Sequence, residues 1–296
     1  MSAYLSICAI FKDEAPYLPE WIEFHRLMGV ERFFLYDNAS SDGSREALEP
    51  WIAQGVVSVA DCSIPLGEGG QSWAYADALR RARGHTRWLA FIDLDEFLYA
   101  PTGVPLPDVL GDYEQHPGVV VNWQVYGSSG RVAANDGLVI ERFVSRAKTA
   151  WVRNRRVKSI VDPRRAVRPI GPHFFAYKDG ALAVTEDHQP ARVIERRAWA
   201  RRMRRGLLRL PLIETDPYAV RDSSVKRVSV ARMRLNHYAV RSRAEFEQKT
   251  ARHGSSRLAP HYFAYHDRNE VHDPTLVSYA SEVRARLATI HDDDAR

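Results

Sequence analysis

Trp88 to Leu98 reads WLAFIDLDEFL, an apolar run that delivers three carboxylates, Asp93, Asp95 and Glu96, to its far end. The bulky stretch from Trp88 to Ile92, continued by Leu94, has the character of a strand buried on both faces of a parallel sheet. Carboxylates at the end of such a strand cost several kcal/mol, roughly, unless a cation compensates them. On an extended backbone Asp93 and Asp95, two apart, project from one face. Their mutual repulsion is relieved by a raised pKa or by a bound divalent cation. Mg²⁺ or Mn²⁺ uses few protein carboxylates and fills its other positions with water and phosphate oxygens. The stretch therefore implies a metal-diphosphate site.

Working outward, the flanking segments alternate strand and helix. Ser6 to Phe11 is a first buried strand followed by Lys12, Asp13 and Glu14, and a helix from Pro16 or Pro19 stops at Gly29. Arg32 to Tyr36 is a second strand, ending in Asp37 and Asn38, and Asp42-Gly43-Ser44 opens a helix from Arg45 to Gln54. Val56 to Ala60 forms a third strand, Leu66 to Gly70 a glycine-rich loop, and Gln71 to Arg83 a helix leading to the central strand. This rhythm predicts right-handed crossovers and a mostly parallel α/β sheet. Ligands of such sheets gather at the carboxyl ends of the strands, where Lys12 to Glu14, Asp37 with Asn38, and Asp93 to Glu96 would converge.

The segments FKDEAPYLPEWIEFHRLMGVERFFLYDNASSDGS and WLAFIDLDEFL resemble the nucleotide-diphospho-sugar glycosyltransferases of the GT-A fold, in the family 2-like and family 92-like group. The resemblance is close over roughly the first hundred residues and continues more weakly to about residue 250. It implies a Rossmann-like GT-A sheet flanked by helices, with C-terminal helical additions. It divides the chain into a nucleotide-sugar half (1–110), an acceptor half of the same domain (111–250) and a C-terminal helical segment with tail (251–296).

Carried over by residue, the resemblance makes Asp37 a contact to the base and places Lys12, Glu14 and Asn38 on the nucleotide pocket. It makes Asp93 and Asp95 ligands of metal and diphosphate, and turns Gln71 and Tyr75, one helical turn apart, toward the donor. Asn122 to Gly130 resembles the segment after D-x-D in family 92-like enzymes; Trp123 would stack on a sugar, and Ser128 and Ser129 would form an acceptor loop. The stretch around Lys158 also looks like this family, and Lys158 would neutralise donor phosphate. A late histidine completes the metal site in such enzymes; His237 is the first candidate, at a strand end before the Ser242–Glu245 capping box, and His173 the second. Arg241 and Lys249 would reach the leaving diphosphate. An inverting reaction needs a carboxylate base, for which Glu96, Glu141, Glu186 and Asp187 are all candidates.

The implied activity is Mn²⁺- or Mg²⁺-dependent transfer of a sugar, a hexose by expectation, from a nucleotide diphosphate-sugar to a glycan or lipid-linked hydroxyl, as in polysaccharide biosynthesis. Two other classes share features of the chain. A haloacid-dehalogenase-like phosphatase also ends an apolar strand in D-x-D, but near the start of its domain and with Thr or Val where this chain has Phe97. A non-catalytic carbohydrate-binding module would keep the fold without turnover.

Composition bounds the rest. With 296 residues, 45% hydrophobic, the chain can bury one sizeable α/β core. No apolar run reaches the roughly 20 residues needed to span a bilayer, and MSAYLSICAIFKDEAP has no signal-peptide pattern. A cytoplasmic protein is expected. Its basic segment Arg192 to Arg209 is a candidate for peripheral contact with the inner membrane face. Cys8 and Cys62 suggest no disulfide framework. The net charge is +5 and only six of the 42 basic residues are lysines. That excess of arginine suits an anionic ligand and gives no case for nucleic acid.

Overall fold

The computed structural model describes residues 2–193, 219–220, 225, 227–253 and 260–294. The Arg192–Arg209 membrane-contact expectation falls almost wholly outside them. Among the described residues no helix is long and apolar enough to cross a membrane.

The N-terminal half follows the expected alternation. Strand β1 (Ala3–Phe11) leads through helix α1 (Leu18–Leu27) to β2 (Arg32–Asp37), and α2 (Glu49–Ala53) to β3 (Val57–Asp61). Helix α3 (Gly70–Ala82) then leads to β4 (Thr86–Phe91). β1 pairs in parallel with both β2 and β4, and β2 with β3, so Phe11, Asp37 and Asp61 stand level at the carboxyl rim. Pro50 breaks the helix expected over 45–54 into a 3-10 turn at Glu46–Leu48 and the short α2.

One central expectation is corrected. The strand expected from Trp88 to Ile92 and on through Leu94 ends at Phe91, and the backbone does not stay extended through Asp93 and Asp95: a turn follows β4 and leads into β5 (Glu96–Tyr99). The Glu96 N–H donates to the Asp93 carbonyl (3.1 Å), and the Asp93 N–H to the Glu96 carboxylate (2.7 Å). Asp93 and Asp95 thus reach a common site from a turn, and the period-two argument for a shared strand face does not apply.

The sheet continues beyond β4 with the antiparallel strand Val157–Val161 and then β6 (Gly118–Val125). The strand Arg234–His237 lies between β5, antiparallel, and β6, parallel, with His237 opposite Glu96 and Val125. Strands from residues 1–110 and 111–250 therefore share one mostly parallel sheet flanked by helices, the α/β class expected, and helices Arg243–His253 and Ala280–Asp294 are added at the C-terminal end.

Trp21, Phe24, Trp88 and Tyr113 are fully buried in the main core, each stabilising by about 1.5–3 kcal/mol through burial. Trp21 also donates to the Glu96 carbonyl (2.8 Å), and His25 accepts the Leu98 N–H (3.1 Å), so α1 is tied to β5 just behind the acidic turn.

Candidate active site

The rim loops are built first by reciprocal hydrogen bonds. The backbone N–H groups of Asp13, Glu14 and Ala15 donate to Ser40 Oγ, Ser44 Oγ and Asp42 Oδ2 (3.0, 2.9 and 2.9 Å). Asp13 returns the contact by accepting the Ser41 N–H (2.7 Å). The DNASSDGS loop is therefore a clasp on the segment after β1. Gly70, at the start of α3, cannot be replaced cheaply, since a Cβ there would lie 2.1 Å from the Ile64 carbonyl oxygen. That close approach brings Gln71, the next residue, to the rim.

A pocket of about 380 Å³ opens at this end of the sheet. Lys12, Glu14, Gln71, Asp93 and Asp95 line one part of it; Trp123, Arg156, His173, His237, Lys249 and Tyr262 complete the polar and aromatic wall. Asp93 Oδ1 accepts from Gln71 Nε2 (2.9 Å) and the Tyr75 hydroxyl (3.4 Å), while Oδ2 takes the Lys158 ammonium at 2.7 Å. Asp95 Oδ2 takes Lys249 Nζ at 2.7 Å, and its Oδ1 faces His237 Nε2 at 3.5 Å.

Electrostatics follow from these pairs. Burial pushes Asp95 up, but Lys249 and then His237 outweigh it and hold the carboxyl well below its usual range. Lys158 is 1% exposed in its side chain; burial lowers its pKa, and Asp93 and Glu96 more than restore it, so the ammonium stays charged. Burial raises the Glu96 carboxyl well above its usual range. His173 is pushed well down by burial, and its Nδ1 donates to the Val157 carbonyl (2.9 Å), leaving a neutral ring with its lone pair on Nε2.

The fit of a divalent cation can be judged from the donors. Among the described residues no three His, Cys, Asp or Glu side chains form a ready-made cage. Asp95 and His237 do converge. A two-ligand seat suits a hard cation that keeps its remaining positions for water and phosphate oxygens. The His237 ring is set by packing on Trp123, centroids 4.1 Å apart, while its buried Nδ1 has no partner. Asp93, turned to Gln71, Tyr75 and Lys158, and His173, turned to the Val157 carbonyl, sit beside this seat; Asp95 and His237 are the two of the four expected ligands that already face each other.

Several sequence expectations are corrected. Glu96 is 0% exposed, holds the Asp93 N–H and lies 3.6 Å from Lys158, so it supports the turn and reaches no acceptor. Glu141 pairs with Arg284 away from the pocket. Asp187 accepts from Ser229 Oγ (3.0 Å), and Glu186 accepts the N–H groups of Ala231, Arg232 and Met233 (2.7, 3.0 and 2.7 Å). Both organise the 229–233 segment and are not on the pocket wall.

Ser128 and Ser129 are held by Asp267 and Asn269 (2.6 and 2.8 Å), and a Cβ on Gly127 would collide with Arg268 and Asn269. This is a packed junction, not an open acceptor loop. Trp123 does line the pocket, but at 8% exposure and against His237 it is a wall more than a platform. Asn38 donates to the carbonyls of Cys62 and Ile64 (2.7 and 2.8 Å), and Asp37 accepts the Ser40 N–H (2.9 Å) beside Arg45; both shape the rim from outside the pocket wall. Arg241, φ +51°, lies over Tyr17 at 3.4 Å with Nη1 3.4 Å from Glu14, a buried support behind the wall.

Arg156 and Tyr262 were not singled out from the sequence. Arg156 belongs to the basic stretch Arg153-Asn154-Arg155-Arg156 just before Lys158, where only the charge of the run is a signal; Tyr262 comes from helix Pro260–His266, whose pattern carries none.

The model of glycosyltransferase family 92 matches residues 3–205, which include β1 through β6, the acidic turn and Lys158. The chain belongs to glycosyltransferase family 92. A family 92 protein of Oryza sativa subsp. japonica is 30% identical over 196 residues, 60% of this chain and 30% of that protein. A galactan beta-1,4-galactosyltransferase of Arabidopsis thaliana is 33% identical over 101 residues, 32% of this chain and 20% of that one. The chain thus spans about a third or less of the length of these curated relatives. Among solved structures, S. aureus TarS 1-349 in complex with UDP overlaps 54% of this chain and 47% of its own at 15% identity, with a TM-score of 0.37, too shallow an overlap to carry an argument.

Proposed function

We propose that this family 92 chain transfers a hexosyl group from a nucleotide diphosphate-sugar to a hydroxyl of a glycan or lipid-linked acceptor, with Mn²⁺ or Mg²⁺ as cofactor. The observation that carries this reading is the meeting of Asp93, Asp95, Lys12, Lys249, Gln71 and His237 in one pocket at the carboxyl end of the sheet. Galactose is the first sugar to test, because relatives of the chain are named as galactosyltransferases.

The pocket's own charges support a diphosphate. Lys12, Lys249 and Arg156 line it beside Glu14, Asp93 and Asp95, so the wall is nearly balanced and can take an anion together with a cation. When bound, the divalent ion would stabilise charge on the departing diphosphate, with Asp95 and His237 holding it. Lys12 has no carboxylate partner among the described residues and is free to bind a phosphate oxygen. Gln71, fixed on Asp93, and Trp123 would orient the donor and exclude water. Among the described residues Glu14 is the one pocket carboxylate outside the D-x-D pair, which makes it the candidate to take the acceptor proton. The phosphatase reading is set aside, since D-x-D follows the fourth strand in a family 92 chain.

The test is hydrolysis of a panel of nucleotide sugars with Mn²⁺ by the purified protein. Turnover of at least one donor, abolished by EDTA and lowered about 10²–10³-fold by Asp95→Asn, is the expected result. Turnover of simple phosphate esters, with none of any nucleotide sugar, would refute the proposal.

A further inference from the structure

Two lysines neutralise the two aspartates, and they are not equivalent. Lys158 rises from a central strand, is 1% exposed in its side chain and lies between Asp93 and Glu96, so its withdrawal would strand the buried Glu96 and leave the half-buried Asp93 without its cation. Lys249 comes from the helix Arg243–His253, keeps 27% exposure, and among the described residues forms its ion pair with Asp95. The start of its helix is fixed: Ser242 and Glu245 cap each other, and Arg142 grips Glu245 with two hydrogen bonds (3.0 and 2.9 Å). From this anchored helix the Lys249 ammonium reaches Asp95 on a flexible four-carbon stem.

The Lys249 ammonium sits 2.7 Å from the carboxylate that, with His237 at 3.5 Å, forms the cation seat. A divalent ion brought to Asp95 would meet that ammonium at close range, and two like charges there repel strongly. Lys249 also lines the pocket, so the nearest new anion open to it is the donor's diphosphate.

We infer that Lys249 and the divalent cation are alternative partners of Asp95: Lys249 neutralises the carboxylate in the donor-free protein and passes to the diphosphate when cation and donor arrive together. The inference rests on the donor reading above and adds an order of binding to it. Free cation is held poorly until a diphosphate is present to accept the lysine, which couples cation affinity to donor affinity.

The test is titration of Mn²⁺, followed by the electron paramagnetic resonance of the free ion, into wild type, Lys249→Met and Lys249→Gln, without and with UDP. Both variants are expected to bind Mn²⁺ alone at least about tenfold more tightly than wild type. UDP should raise wild-type Mn²⁺ affinity, and this gain should shrink in the variants, which lose the lysine–phosphate contact. Asp95→Asn should abolish Mn²⁺ binding in wild type and Lys249→Met alike. Thermal melting with a single transition near that of wild type checks that the variants are folded.

Unchanged or weaker Mn²⁺ binding by folded Lys249→Met, Mn²⁺ binding that survives Asp95→Asn, or no Mn²⁺ binding by any of the proteins would each overturn the inference. Failure of the donor reading is a separate result: wild type that neither binds UDP nor hydrolyses a nucleotide sugar.

Discussion

Glu186 is buried and the Asp93–Asp95 pair joins a half-buried carboxylate to a buried one, yet the protein satisfies the two sites in opposite ways. Glu186 accepts three backbone N–H groups and the Ser229 hydroxyl from one short segment. Asp93 and Asp95 take side chains only, from Gln71, Tyr75, Lys158, Lys249 and His237, which arrive from separate elements. Backbone donors cannot leave without unfolding the loop they belong to. Side-chain cations can be exchanged for a ligand. A carboxylate held by its backbone is thus architecture, and one held by long side chains at a pocket is available for chemistry.

The two sites should respond differently to substitution. Lys158→Met removes the ammonium shared by Asp93 and Glu96 and should cost about 3–5 kcal/mol of stability as well as donor binding. Chemical denaturation measures the first and UDP titration the second; a loss confined to binding would show that Lys158 is as exchangeable as Lys249.

His25 tests the rigid side of the contrast. Its Nδ1 donates to the Trp21 carbonyl (2.7 Å), Nε2 accepts from Leu98, and burial lowers its pKa from the ordinary 6.5 to about 3. The unfolded chain therefore binds the extra proton first, so the stability this neutral ring contributes is complete above pH 6.5 and is lost as pH falls toward 3. Relative to His25→Gln, wild type should lose about 1.4 kcal/mol per pH unit within that window. Parallel pH profiles for the two proteins would contradict a neutral, structural His25.

Glu186→Gln should destabilise by about 1–3 kcal/mol, since one amide oxygen cannot replace both carboxylate oxygens, with KM for donor and acceptor unchanged. A specific fall in kcat at unaltered stability would return Glu186 to the list of bases. The smallest effect is expected for Ser128→Ala, which loses one hydrogen bond to the Gly130 N–H (3.1 Å), about 1 kcal/mol or less. A large rise in acceptor KM there would restore the acceptor loop read from the sequence.

These contrasts explain what was legible in the sequence. The alternation of β1, α1, β2, α3 and β4 shows in apolar periodicity because parallel strands are buried on both faces, and the clusters at their ends converge by topology alone. That placed Lys12, Glu14, Gln71, Asp93 and Asp95 on one pocket. The capping box also gave the end of the Arg234–His237 strand and so the position of His237. What local pattern could not show was which partners a carboxylate would find. Glu141, Asp187 and Glu96 look as reactive as Asp95 until Arg284, Ser229 and Lys158 are seen beside them, and those partners lie 42 to 143 positions away, a separation no rule of spacing covers. The turn at Asp93–Glu96 was hidden because Leu94 and Phe97 keep the run apolar through a change of direction.

The most direct test of the diphosphate pocket is calorimetric titration of UDP with Mn²⁺ into wild type and into Asp93→Ala/Asp95→Ala. Saturable heat from wild type that disappears in the double variant is the result expected here. No heat from wild type and from a panel of other nucleoside diphosphates, or equal heat from the double variant, would contradict it.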